Sequence, residues 1–147
     1  MLKGGHPEKL EKMILDGKSI HIFDSEINFL SSGIVAGTPS IAAGIAKSLK
    51  LKNRNSQVWC FIGDGAEDEG HFYEAVRYVQ GHDLPCTFII ENNNRSVQTP
   101  CFERYGNSKI NWPACVIEYE YSPTYPHVGT GKYVSFSNNQ VSNGGLR

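Results

Sequence analysis

Long apolar runs are missing from this chain of 147 residues. None approaches the roughly 18 residues of a bilayer span, and Met1-Leu2-Lys3-Gly4-Gly5 leads into charged sequence instead of the apolar centre of a secretory leader. Membrane insertion and export are therefore not expected, and a cytoplasmic protein is. An excess of one charge is also lacking: 14 Lys and Arg face 15 Asp and Glu for a net charge of −1. With no basic run, the chain carries no electrostatic footprint for nucleic acid or an anionic membrane. Its four cysteines show neither Cys-x-x-Cys pairing nor a neighbouring His pattern, which argues against a zinc site or a disulfide framework. Cys60 and Cys86 lie in or beside apolar segments and are expected as small core residues. There is no internal repeat. Gly129-Thr130-Gly131-Lys132 falls short of a nucleotide P-loop, because Pro126 stands where the leading glycine is needed and Tyr133 where a hydroxyl must follow the lysine. Asn94-Arg95-Ser96 has the form of a glycosylation acceptor, but without a leader the match is chance.

What is present centres on one stretch. Val58 to Ile62 is a run rich in β-formers that stops at Gly63-Asp64-Gly65, and Thr87 to Glu91 is another that stops at Asn92-Asn93-Asn94. Between them Phe72, Ala75, Val76 and Val79 mark one face of an amphipathic helix, opened by Glu67, Asp68 and Glu69 in its first turn and closed by Gly81. A strand, helix, strand crossover in one sheet makes the strands parallel, so both polar ends fall on the carboxyl edge. That is the edge where open α/β sheets bind ligands. Asp64 and Asn93, 29 positions apart, are thereby brought together. A carboxylate, an amide oxygen and a nearby main-chain carbonyl are hard ligands suited to Mg²⁺ or Ca²⁺. Gly65 and Ala66 leave main-chain N–H groups at the following helix start open to an anion. The pattern suits a metal ion plus a diphosphate, although Gly-Asp-Gly and an asparagine run are each also common in turns.

The rest of the chain supplies a frame. Pro7 to Asp16 has helical spacing, Ser19 to Phe23 suits a short extended piece, and Asp24 to Thr38 has loop composition. Thr38-Pro39 forms an N-cap with proline at the first helical position, followed by an apolar face of Ile41, Ala42, Ile45, Ala46 and Leu49. Lys47, Lys50 and Lys52 gather at that helix's negative end. Pro100 to Pro113 suits a long ordered loop near the site, and Cys115 to Tyr121 a further strand. The fold class is α/β: an open, mainly parallel sheet flanked by helices. One domain is expected over residues 1–134, with residues 135–147 as a flexible or partner-docked tail.

Gly63-Asp64-Gly65, followed by 26 residues and then Asn92-Asn93, resembles the thiamine diphosphate signature shared by transketolases and 2-oxo acid dehydrogenases. Ser19-Ile20-His21-Ile22-Phe23-Asp24 is similar to a run in the alpha subunit of pyruvate-type dehydrogenases, as are Gly33-Ile34-Val35, Pro39 and Ala42-Ala43-Gly44-Ile45-Ala46 to the stretch that follows there. The likeness covers roughly residues 3 to 100. It implies a truncated pyrophosphate-type domain of the thiamine diphosphate-binding fold, holding thiamine diphosphate and Mg²⁺. It also implies the ligand set: the Asp64 carboxylate, the Asn93 side-chain oxygen and the Arg95 main-chain carbonyl on the metal. Gly65, Ala66 and Ser96 stand beside the cofactor, and main-chain groups of Gly33 and Val35 face its aminopyrimidine. Val97 falls where the family has a buried aliphatic residue. Glu67, Asp68 and Glu69 depart from the neutral residues usual there.

His21 lies, by the resemblance, on the cofactor side of the subunit, and Pro123 to Gly129 faintly resembles the family's histidine-bearing loop, which makes His127 a second candidate for contact with diphosphate or substrate. Both also have the ordinary uses of a loop histidine, and Gly33 those of a turn former. The family places the glutamate that protonates the aminopyrimidine on a separate pyrimidine-binding domain, which has no counterpart here. The implied partner is thus a beta-type subunit in a homo- or hetero-oligomer, the substrate a small 2-oxo acid such as pyruvate, and the chain is expected to be inert alone. Ketol transfer of the transketolase kind, and a reduced non-catalytic module of the same fold, are the alternatives.

Overall fold

The computed structural model describes residues 3–18, 20–97 and 99–122, together with two short strands further on. Helix α1 (Pro7–Met13) starts on proline, carries Glu8 in its first turn and Lys12 in its last, and buries no residue. It runs into a wider turn, Ile14–Lys18, that Gly17 ends with φ 84°. A side-chain clamp fixes α1: Lys9 Nζ lies 2.8 Å from Asp24 Oδ2 and 2.6 Å from Glu26 Oε2. The loop expected from Asp24 to Thr38 contains a tight hairpin, β1 (Phe23–Asp24) against β2 (Phe29–Leu30), turned at Asn28 with φ 49°.

Helix α2 (Pro39–Leu51) begins at proline as expected, but Thr38 makes no side-chain cap; its hydroxyl instead lies 3.5 Å from Cys60 Sγ. The buried face of α2 is Pro39, Ala42, Ala43 and Ala46, whereas Ile41 and Ile45 are exposed. The small side chains, and not the branched ones, face the sheet, which lets the helix lie close to it.

Strand β3 (Val58–Gly63) leads into a four-residue helix α3 (Asp64–Glu67), and the main crossover helix α4 (Gly70–Gly81) follows. The expected opening of this helix by Glu67 to Glu69 is therefore corrected: Glu67 closes α3, Asp68 is its C-cap residue, and Glu69 is the N-cap residue of α4 without a side-chain cap bond. Phe72, Ala75, Val76 and Val79 are all buried, as their spacing predicts. Strand β4 (Cys86–Asn92) comes next, then β5 (Arg95–Ser96) paired antiparallel with β6 (Thr99–Pro100), a short helix α5 (Cys101–Tyr105) within the expected loop, and β7 (Val116–Glu120). Strands β8 (Tyr133–Ser135) and β9 (Gln140–Ser142) pair antiparallel across the expected start of the tail.

The sheet order is β3-β4-β7, all parallel, with Gly63 opposite Glu91 and Asn92 opposite Glu120. Its helical layer, α2 and α4, covers the face that carries Cys60, Ile62, Phe88 and Ile90. Phe72 meets Phe88 edge-on at 5.4 Å and Trp112 at 5.1 Å, so aromatic contacts tie helix, sheet and the segment before β7 into one core. Alternation along β3 turns Trp59 and Phe61 the other way, 58% and 59% exposed. Among the described residues no helix is long and apolar enough to cross a membrane.

Candidate functional site

A cleft of about 350 Å³ opens at the carboxyl edge of the sheet. Parallel pairing of Gly63 with Glu91 brings the tips of β3 and β4 side by side, so Asp64 and Asn93 line the same cleft although far apart in sequence. Gly33, Val35, Gly65, Ala66, Arg95 and Ser96 line it too. These are all the residues expected at the cofactor and metal. His21 stands behind the wall: it is exposed, and its Nδ1 accepts a hydrogen bond from the Gly33 N–H at 3.4 Å. His127 lies outside the described residues.

Each wall has a local cause. Asp64 is buried, 3% exposed, at the head of α3 where the strand has just ended. Asn92 and Asn93 each bend the chain with a side-chain oxygen that accepts a main-chain N–H two residues on, from Asn94 at 2.7 Å and Arg95 at 3.0 Å. The Asn92 amide donates to Glu118 Oε1 at 2.6 Å, pinning the turn to β7. Gly65 has no room for a side chain: an added Cβ would collide with Ser96 Oγ and stand 2.7 Å from Ser96 Cβ. That close approach is what a glycine permits here.

Some of the left-handed backbone lies at or beside the cleft. Ala36, Asn94 and Val97 hold φ values of 49°, 59° and 54°. For a branched side chain such as Val97 this region is costly. The expectation that Val97 is buried is corrected: it is 55% exposed at the cleft rim, because the left-handed turn directs it away from the core.

The acidic trio is dispersed rather than aimed together at the cleft. Glu67 Oε1 accepts a bond from the Trp112 indole at 2.6 Å; burial pushes its carboxyl up, opposed by that bond. Burial also raises the Asp68 carboxyl, opposed by the Arg104 guanidinium beside it. Arg104, on α5, reaches Asp64 Oδ2 at 3.5 Å and Asp68 Oδ2 at 2.7 Å, and donates to the Thr99 carbonyl at 3.0 Å. Sequence reasoning assigned no role to Arg104, Trp112 or Glu118. The one available signal was charge: four acidic residues between positions 64 and 69 need a cation nearby, and Arg95 and Arg104 are the next arginines along the β4–α5 stretch. Among the described residues no three His, Cys, Asp or Glu side chains are grouped to hold a metal. A cation in this cleft would draw on one carboxylate, one amide and main-chain oxygen, leaving positions for a ligand's own oxygens.

A parallel sheet flanked by helices, with a carboxylate and an asparagine turn at adjacent strand tips, defines an α/β domain of the open-sheet class. The chain belongs to the dehydrogenase E1 component family, whose features it matches over residues 8–111. It is 37% identical over 79 residues to the pyruvate dehydrogenase E1 component subunit alpha of Staphylococcus aureus, and 35% identical over 79 residues to that of Staphylococcus epidermidis. Each match covers 53% of this chain and 21% of the relative, so the chain aligns with about a fifth of those proteins.

Proposed function

We propose that the cleft binds thiamine diphosphate through Mg²⁺, and that the chain serves as the alpha-type part of an enzyme that oxidatively decarboxylates a 2-oxo acid such as pyruvate. The observation that carries this is the convergence on one cleft of Asp64, Asn93 and the Gly65–Ser96 contact. The donor set fits: the Asp64 carboxylate, Asn93 Oδ1 and the Arg95 carbonyl would hold the cation, while Gly65, Ala66 and Ser96 offer N–H and hydroxyl groups to phosphate oxygens. Gly33 and Val35 line the same cleft and are proposed to face the cofactor's ring. When bound, the cofactor supplies the nucleophilic carbon and the electron sink that decarboxylation needs.

The chain's own task is placement. Burial of Asp64 keeps its charge from water and strengthens its hold on a cation. His21, bonded to Gly33, steadies the wall, and His127 is proposed as a group near the diphosphate or substrate. Val35 and Val97, 54% and 55% exposed, leave the cleft open on its outer side, which supports completion of the site by a beta-type partner subunit.

Calorimetric titration with thiamine diphosphate tests this. Binding is expected to require Mg²⁺ and to vanish in Asp64→Ala; equal affinity with and without Mg²⁺, or an unchanged variant, would refute the assignment. Pyruvate turnover is expected only after a beta-type subunit is added.

A further inference from the structure

Arg104 lies outside the cleft lining and still touches the carboxylate on which the proposed site turns. It is nearly buried, 12% exposed at its side chain, against 4% for that of Asp64. Its guanidinium has three anchors: Nη1 donates to the Thr99 carbonyl at 3.0 Å, Nε lies 2.7 Å from Asp68 Oδ2, and Nη2 lies 3.5 Å from Asp64 Oδ2. A guanidinium is planar and rigid, so holding two of its nitrogens sets the direction of the third. An arginine placed only to neutralise Asp68 would turn an N–H squarely toward it. Here the buried Nε makes no hydrogen bond, since Asp68 Oδ2 lies off the N–H direction. With Nε against Asp68 and Nη1 bonded to Thr99, the far end of the fork is left within reach of Asp64.

We propose that Arg104 is a positioning residue for Asp64: from behind the cleft it holds Oδ2 and thereby fixes how the carboxylate meets the cation. The inference rests on the Mg²⁺–thiamine diphosphate assignment and adds a residue to it. Groups that orient a ligating carboxylate are worth about 10–100-fold in metal affinity. They matter most for Mg²⁺, which demands near-octahedral geometry, and less for Ca²⁺, whose coordination is flexible. That difference separates orientation from plain charge or stability, which affect both cations alike.

The test is calorimetric binding of thiamine diphosphate to the full chain with Mg²⁺ and, separately, with Ca²⁺. Arg104→Gln is expected to weaken Mg²⁺-supported binding by about 10–100-fold and Ca²⁺-supported binding by clearly less. Arg104→Lys, which keeps charge but loses the fork, falls between in the Mg²⁺ arm. It decides the matter alone if Arg104→Gln fails to fold. Equal losses with both cations, or none, overturn the proposal, as does full recovery of Mg²⁺ binding in Asp68→Asn/Arg104→Gln, which would mean that Arg104 merely balances Asp68. A wild-type chain that binds the cofactor with neither cation removes the functional assignment itself and this inference with it. A wild type that binds, matched by Arg104→Gln, removes this inference alone.

Discussion

Between Gly65 on α3 and Ser96 beyond the asparagine turn there is no room for even one methyl group. In Gly65→Ala the new Cβ would strike Ser96, so the turn carrying Asn93 and Arg95 must move away from Asp64. A loss of about tenfold or more in Mg²⁺-supported cofactor binding is expected, with the melting temperature little changed. Gly65→Ala/Ser96→Gly should regain only part of it, because the second change removes the colliding atoms and with them the hydroxyl proposed for the diphosphate; titration of both variants checks this. A different pair sets an acid limit. The Lys9 ammonium, bonded to Asp24, holds that carboxyl below its ordinary range, helped by the Glu26 N–H. A carboxyl whose folded value is lowered lends stability above its unfolded value, about pH 4, and loses it as pH falls through the folded one. Urea midpoints of wild type and Lys9→Met should therefore differ at neutral pH and converge below about pH 4. At this scale the sequence was informative where chemistry repeats, as in Asp64 and the asparagines, and silent where placement depends on distant contacts. Arg104 acquires its partners only once α5 folds back over α3, and nothing in Cys101 to Tyr105 announces that.

Among the elements, the buried face and the end of α4 were legible, because an apolar stripe of period 3.6 has one way to bury itself, whereas its start was not, since the acidic residues read as its first turn belong to α3 and the cap between them. Phe72, in the first turn of α4, is fully buried against Phe88 and Trp112. Phe72→Ala is expected to cost about 3–5 kcal/mol. Trp59→Ala, on the exposed side of β3, should cost far less, and denaturant unfolding of the two variants measures the contrast. Helix α2 was legible in its extent and in part of its facing: Ala42 and Ala46 are buried as expected, while Ile41 and Ile45, expected beside them, are exposed, because the alanines permit closer approach to the sheet. Thr38 looked like a cap, yet its helical backbone angles, φ −88° and ψ −28°, leave its side chain pointing elsewhere. Helix α5 was read as loop because five residues are too few to display a period.

For the molecule as a whole, the parallel sheet followed from one crossover rule applied to Val58 through Asn92, and the cleft followed from the sheet. A ligand held there stabilises only the folded chain. At about 100 times its dissociation constant, thiamine diphosphate with Mg²⁺ should add about 2.7 kcal/mol and raise the melting temperature by several degrees. The same mixture should leave Asp64→Ala unmoved; scanning calorimetry distinguishes the two.

The packing of the thiols has a practical corollary for labelling. Cys60 and Cys86 are sealed inside the core, and burial, with Cys60 nearby, pushes the Cys86 thiol up to about 12. At pH 8 almost none of that sulfur is the anion that alkylating reagents consume. Cys115 is shifted the same way by burial. Cys101, half-buried at the head of α5, is left as the accessible handle. A maleimide fluorophore should settle there before the others, one helical turn from Arg104, and so report from solution when a cation takes up residence next door.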